Sequence, residues 1–177
     1  ETASSEPQLP PGEAHLITGG LGALGRALAT ELAQMGARRL VLLSRRGLPD
    51  REHWSDDHEE PVQRSIDFVR SLEALGVSVH LGQVDVARKS QLSHFLASYR
   101  SEGWPPIRSV YHAAGTVQWG RLVDASASDI TALMEAKTLG TQNLDQLLGK
   151  KLDRFVVFSS ASAILRTGNM GVYPAGN

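Results

Sequence analysis

The chain has no cysteine among its 177 residues. That removes disulfide staples, thiolate metal ligands and thiol nucleophiles at once. It has no apolar run approaching the ~20 residues a bilayer-crossing helix needs. It also has no excess of one charge: 18 Lys and Arg stand against 19 Asp and Glu, a formal net charge of −1. Neither a general nucleic-acid surface nor a polybasic membrane contact is expected from that balance. The first residues lack the basic region and apolar core of a secretory signal, so the expected location is the cytoplasm. With 41% hydrophobic and 21% charged residues, the composition is that of a globular domain and not of a disordered chain.

What is present alternates. Residues 1–13 are rich in Pro, Ser and Glu and read as a linker; residues 14–177 read as one domain. His15 to Thr18 is a short apolar run that meets a glycine cluster. Leu21, Leu24, Leu28, Leu32 and Met35 then recur at helical spacing, and Gly36 stops them. Arg39 to Leu43 is apolar on consecutive positions, as a buried parallel strand is. Arg46 to Pro61 is polar and charged and reads as a long surface loop. A helix follows through Val62, Ile66, Val69 and Leu72, ending at Gly76. Val77 to Val84 reads as a third strand. Leu92, Phe95, Leu96 and Tyr99 mark one helix face. Ile107 to Tyr111 is a fourth strand, Ser128 to Leu148 a long helix, and Phe155 to Phe158 a fifth strand. This repetition predicts an α/β, Rossmann-like, doubly wound parallel sheet with helices on both faces, incomplete at the C-terminus. Ligands of such sheets sit beyond the C-terminal ends of the strands.

The first strand ends in Thr18-Gly19-Gly20-Leu21-Gly22-Ala23-Leu24-Gly25. Gly20, Gly22 and Gly25 satisfy G-x-G-x-x-G, between a strand and a helix, where a dinucleotide pyrophosphate is held. The helix start that follows offers free N–H groups to phosphate. The second strand ends at Ser44-Arg45-Arg46. A carboxylate there would suit the 2′-hydroxyl of NAD; a cationic pair suits a 2′-phosphate, so NADPH is the expected cofactor. Asp85-Val86 closes the third strand, where the carboxylate could accept from an adenine amino group or cap the next helix. His112-Ala113-Ala114-Gly115 closes the fourth strand with small residues that leave room for a flat ligand. His112 itself reads as structural.

Ile130, Leu133, Met134, Leu144, Leu147 and Leu148 define the apolar face of the long helix. Lys137, seven residues from both Ile130 and Leu144, falls on that face. It must find a partner, snorkel to the rim or lose its charge. A functional lysine and a snorkelling one both fit the position. The fifth strand ends at Ser159-Ser160, and Tyr173 follows thirteen residues after Ser160. A tyrosine and a serine near a nicotinamide suit carbonyl reduction: the phenol donates a proton and the serine polarises the oxygen. A cation beside such a phenol favours its ionised form.

The order of glycine turn, small-residue strand end, Ser and Tyr resembles the short-chain dehydrogenase/reductase superfamily. That superfamily usually carries Tyr-x-x-x-Lys, whereas this chain has Tyr173-x-x-x-Asn177 with Lys137 on the preceding helix. In that exchange it resembles the ketoreductase domains of type I polyketide synthases and the related fatty acid synthases. Leu40-Val41-Leu42-Leu43-Ser44-Arg45-Arg46-Gly47, Val110 to Gly115 and Phe158-Ser159-Ser160 carry the same likeness. The resemblance implies Tyr173 as proton donor and Ser160 as its partner on the ketone oxygen. Lys137 and Asn177 would complete the tetrad. Thr18, Gly19, Gly20, Gly22, Leu24, Gly25, Ser44, Arg45, Asp85, Val86, Ala113, Ala114 and Gly115 would line NADPH. It implies a β-ketoacyl chain on an acyl carrier protein as substrate. The neighbours would be other synthase domains, including the ketoreductase structural subdomain; no nucleic acid, membrane or metal is implied. Val117-Gln118-Trp119 stands where ketoreductases of one stereochemical class carry Leu-Asp-Asp, which places the chain nearer the opposite class. Leu165 stands where that opposite class often carries Trp.

Three other readings fit the alternation. A generic short-chain dehydrogenase acting on a free substrate is disfavoured by Asn177, as is a nucleotide-sugar epimerase-like protein. A silent, scaffolding ketoreductase-like module is disfavoured by the presence of all four tetrad residues. The 177 residues read as a fragment of a larger multienzyme.

Overall fold

In the computed structural model, residues 9–10, 12–115, 120–165 and 173–177 are described. Five strands, β1 (Ala14–Thr18), β2 (Arg39–Ser44), β3 (Ser78–Gln83), β4 (Ile107–His112) and β5 (Arg154–Val157), form one sheet in the order β3-β2-β1-β4-β5. Every pairing is parallel. The helices between them are α1 (Ala23–Gln34), α2 (Glu60–Ala74), α3 (Lys89–Ser101) and α4 (Ala127–Leu148). Strand order reverses between β1 and β4, which opens a crevice at the C-terminal ends of those two strands.

Alternation of side chains builds two cores, one on each side of the sheet. Ile17, Leu40, Leu42 and Val79 face Ala29, Leu32 and Ala33 of α1 and Ile66, Val69 and Leu72 of α2. Leu16, Val41, Leu43 and Val110 face Leu92, Leu96 and Tyr99 of α3 and Leu144 and Leu148 of α4. The helices on both faces are therefore as the periodicity predicts. Gly36 and Gly76 end their helices by the same device. Each adopts a left-handed φ, +98° and +79°. The amides of Gly36 and Ala37 close on Ala33 and Leu32, and those of Gly76 and Val77 on Glu73 and Leu72. This is the Schellman pattern, in which glycine bears no Cβ penalty.

Two stretches differ from the sequence reading. Leu9 lies in the segment read as linker, yet it is buried in the α1/α2 core and its N–H donates to the Met35 carbonyl at 3.0 Å. The polar stretch after β2 is not simply a solvated loop. It forms a 3-10 turn at Arg51–His53 and buries Trp54 to 4% exposure in the same core. Charge density hid that anchor, because one tryptophan carries the burial for a polar segment. Among the described residues, no helix is long and apolar enough to cross a membrane.

Candidate active site

The crevice is shaped first by the turn after β1. Gly19 has φ +66°, and a Cβ there would lie 3.0 Å from the Ala113 carbonyl oxygen and from Ala114 Cα. A Cβ on Gly25 would lie 2.2 Å from the Gly19 carbonyl oxygen, so only glycine lets α1 start this close to the turn. Gly22 is the N-cap residue and offers no side chain, which leaves the first amides of α1 without a side-chain acceptor.

Two cavities adjoin over this turn and share Gly19 and Gly115. One, about 120 Å³, lies toward β2 and β3 and is lined by Ser44, Arg45, Asp85, Val86 and Ala114. The other, about 350 Å³, is lined by Gly22, Leu24, Gly25, Ala113, Lys137, Phe158, Ser159 and Tyr173. Most of the sequence-predicted cofactor residues thus lie along one cleft. Thr18 and Gly20 do not line it. The Thr18 hydroxyl is buried against His112, and the Gly20 amide donates to the Leu43 carbonyl at 3.1 Å. Asp85 serves its own turn: its carboxylate accepts from the Ala87 amide at 3.0 Å. Ser44 likewise donates to the Arg46 carbonyl.

Lys137 does not snorkel. It is half-buried, and its ammonium donates to the Phe158 carbonyl at 2.8 Å and to Asn177 Oδ1 at 2.6 Å. Burial pushes its pKa below the ordinary lysine value. The Asn177 amide nitrogen donates to the Tyr173 carbonyl at 2.7 Å, and Ser159 Oγ donates to the Asn177 carbonyl at 2.7 Å. Three of the four tetrad candidates are therefore linked: Lys137 from α4, and Tyr173 and Asn177 from the 3-10 turn Tyr173–Gly176 and the residue after it. Ser160, next to the cavity-lining Ser159, is not itself among the lining residues and caps a short turn at Ala161–Ala163. Its Oγ accepts from the Ser162 amide at 3.2 Å and from the Ser162 hydroxyl at 2.8 Å. No described bond uses its own hydrogen, which remains available to donate. Val117-Gln118-Trp119 lies outside the described residues; Leu165 is described and exposed.

Sequence reasoning missed the Phe158 carbonyl, set Ser159 and Ser160 alike at the cleft, and read His112 as structural without its partners. The Phe158 carbonyl is a backbone group with no side-chain signature. Ser159, not Ser160, lines the larger cavity. His112 joins β1, β4 and α4 through partners 94 and 24 residues away. Only the apolar setting of Lys137 signalled in advance that something had to receive its charge.

A parallel 3-2-1-4-5 sheet with a glycine turn after β1 at the switch point is the architecture of the short-chain dehydrogenase/reductase fold. The chain matches the KR domain family over residues 13–177 and belongs to it. It is 35% identical over 171 residues to 6-methylsalicylic acid synthase of Aspergillus terreus, covering 94% of this chain and 10% of that synthase. It is 37% identical over 179 residues to a phenolphthiocerol/phthiocerol polyketide synthase of Mycobacterium tuberculosis, covering 100% of this chain and 10% of that one. Among solved structures it resembles the ketoreductase from the first module of phoslactomycin biosynthesis in Streptomyces sp. HK803. The TM-score there is 0.79 at 34% identity, over 96% of this chain and 37% of that one. An A1-type ketoreductase superposes with TM-score 0.79 at 32% identity, over 100% of this chain and 35% of that one. The chain therefore spans about a tenth of the curated relatives it matches.

Proposed function

We propose that this chain is the catalytic part of an NADPH-dependent ketoreductase that reduces a β-ketoacyl thioester, carried on an acyl carrier protein, to the β-hydroxyacyl thioester within a polyketide synthase. The observation that carries the reading is the Lys137–Asn177–Tyr173 linkage on the same cleft as the glycine turn. The cleft fits a dinucleotide, because the glycines let the turn after β1 pack closely against Ala113–Ala114 and the start of α1, and two cavities that share Gly19 and Gly115 continue from one side of that turn to the other. Gly19, Gly22 and Gly25 would hold the pyrophosphate, and Arg45 would meet the 2′-phosphate. When bound, NADPH supplies the hydride.

The chain's own residues handle the proton. Tyr173 lines the cavity and is the proton donor to the oxygen of the reacting ketone. Ser160, whose hydrogen is uncommitted among the described bonds, polarises the same oxygen. Lys137, anchored at two points, holds Asn177 by its side-chain Oδ1, and the Asn177 amide nitrogen in turn donates to the backbone carbonyl of Tyr173. The neighbouring synthase domains deliver and receive the carrier-bound chain.

The test is NADPH oxidation by the complete polypeptide with a short β-ketoacyl thioester. Tyr173→Phe is expected to lower turnover by roughly 100- to 10,000-fold, the range of a lost general acid. NADPH binding should be retained. An unchanged rate would instead indicate a silent module.

A further inference from the structure

Lys137 works only if α4 presents it at the right depth, and α4 is held to the sheet by buried polar ties. Asn143 Nδ2 donates to the Val86 and Ala87 carbonyls at 2.9 and 3.1 Å. One residue before Lys137, the Ala136 carbonyl lies 2.9 Å from His112 Nε2. On the other side of the ring, His112 Nδ1 lies 2.6 Å from Thr18 Oγ1, which also accepts from the Ala114 amide at 3.1 Å. His112 and Thr18 are 1% and 0% exposed.

The proton inventory settles the tautomer. A carbonyl only accepts, so Nε2 carries the hydrogen that reaches Ala136. Nδ1 of the neutral ring is then bare and takes the Thr18 hydroxyl hydrogen. The Thr18 oxygen in turn accepts from Ala114. All three bonds are satisfied together, as buried polar groups require. The close approach is also built in. One turn along α4, a Cβ on Gly140 would lie 3.1 Å from His112 Cε1 and 3.0 Å from Val86 Cγ2. Glycine there lets the helix backbone come down onto the ring.

We infer that His112 is a positioning residue of the reductase site: its Nε2–H bond to Ala136 sets the depth at which α4 presents Lys137 to Asn177 and the Phe158 carbonyl. Through Thr18 the same ring ties α4 to the Ala114–Gly115 turn on the cleft. The role in turnover rests on the ketoreductase reading above; the mechanical role does not.

Three substitutions separate the two sides of the ring. His112→Gln can place an amide N–H near the Nε2 position and keep the bond to Ala136. His112→Asn keeps an acceptor near Nδ1 for Thr18 and loses Ala136. His112→Phe keeps the bulk and loses both. In the complete polypeptide, Asn is expected to lower kcat by roughly 10- to 100-fold, as small misplacements of reacting groups do. Its KM for NADPH should stay within about threefold of wild type, because removing an interaction made only in the transition state leaves ground-state binding alone. Phe should lower kcat and raise that KM as well. Gln should keep kcat within about threefold and raise that KM as Phe does, because it too loses the Thr18 side. Amide hydrogen exchange over residues 134–141 should quicken in Asn and Phe and not in Gln, with β1 and β2 as the folded reference. Wild-type kcat in all three variants would overturn the inference. So would a fall of Gln together with the others, which would make the ring mere packing. Absence of turnover in the wild type would overturn the ketoreductase reading instead; the exchange pattern would then decide the positioning role alone.

Discussion

At the scale of single residues, the site is a set of conflicts resolved by partners. Lys137 lies on an apolar face, and its charge is tolerated because a carbonyl and an amide oxygen receive it. Arg45 is exposed and lines the smaller cavity, beyond the end of β2. On the reading proposed above, its guanidinium would meet the 2′-phosphate of NADPH. Arg45→Ala should therefore weaken NADPH binding by about 1.5–3 kcal/mol, the worth of a hydrogen bond to a charged group. That is roughly 10- to 100-fold in Kd. NADH binding should barely change, and titration of both cofactors checks the ratio. Equal losses for the two would move the arginine's role away from the 2′-phosphate.

At the scale of elements, the segment between β2 and α2 shows how one residue organises a polar stretch. Trp54 Nε1 donates to the Pro49 carbonyl at 2.8 Å, and the Arg51 guanidinium lies 4.6 Å from the centre of a Trp54 ring. Arg51 also donates to the Val79 carbonyl at 3.1 Å and pairs with Glu73 at 2.7 Å. It thus occupies an acceptor on the outer edge of β3, which blunts that edge against further strand pairing. These contacts lie along the first half of β3, while the cleft lies at the strand ends. Trp54→Ala should cost about 3–5 kcal/mol of stability through the cavity it leaves. NADPH affinity at temperatures where the protein remains folded should hold. Denaturant unfolding alongside cofactor titration separates the two. The elements themselves were legible, since helices and strands announce their period. The role of Trp54 was not, because burial of a lone aromatic in a charged run has no period.

At the scale of the whole molecule, the buried and half-buried histidines are expected to make the fold acid-sensitive. Burial lowers the pKa of His15, His80 and His112. Arg154 adds to the effect at His15, and Glu102 partly opposes it at His80. The unfolded chain takes up protons near pH 6.5, where these folded side chains stay neutral. Stability is therefore full above about pH 6.5 and falls as the pH drops toward the lowered folded values. The slope reaches at most about 1.4 kcal/mol per pH unit for each fully buried ring. His15 is 0% exposed, and neither ring nitrogen has a hydrogen-bond partner among the described residues. His15→Phe should flatten the dependence by about one proton's worth. Unfolding temperature measured between about pH 7 and pH 5 checks it.

The strand-helix alternation, the glycine turn, the cationic end of β2 and the misplaced lysine were all determined by the sequence alone. Each is local, and its physics acts within a few residues: a period of two or 3.6, a missing Cβ, a charge on an apolar face. Tertiary structure decided what long-range closure decides. It chose Asn177 and the Phe158 carbonyl as the receivers of Lys137, and it left Ser159 rather than Ser160 on the cavity wall. It also consumed Thr18 and His112 in a bond that spans 94 residues. Hydrogen bonds between distant segments depend on strand order and helix depth, and no window of sequence contains both partners.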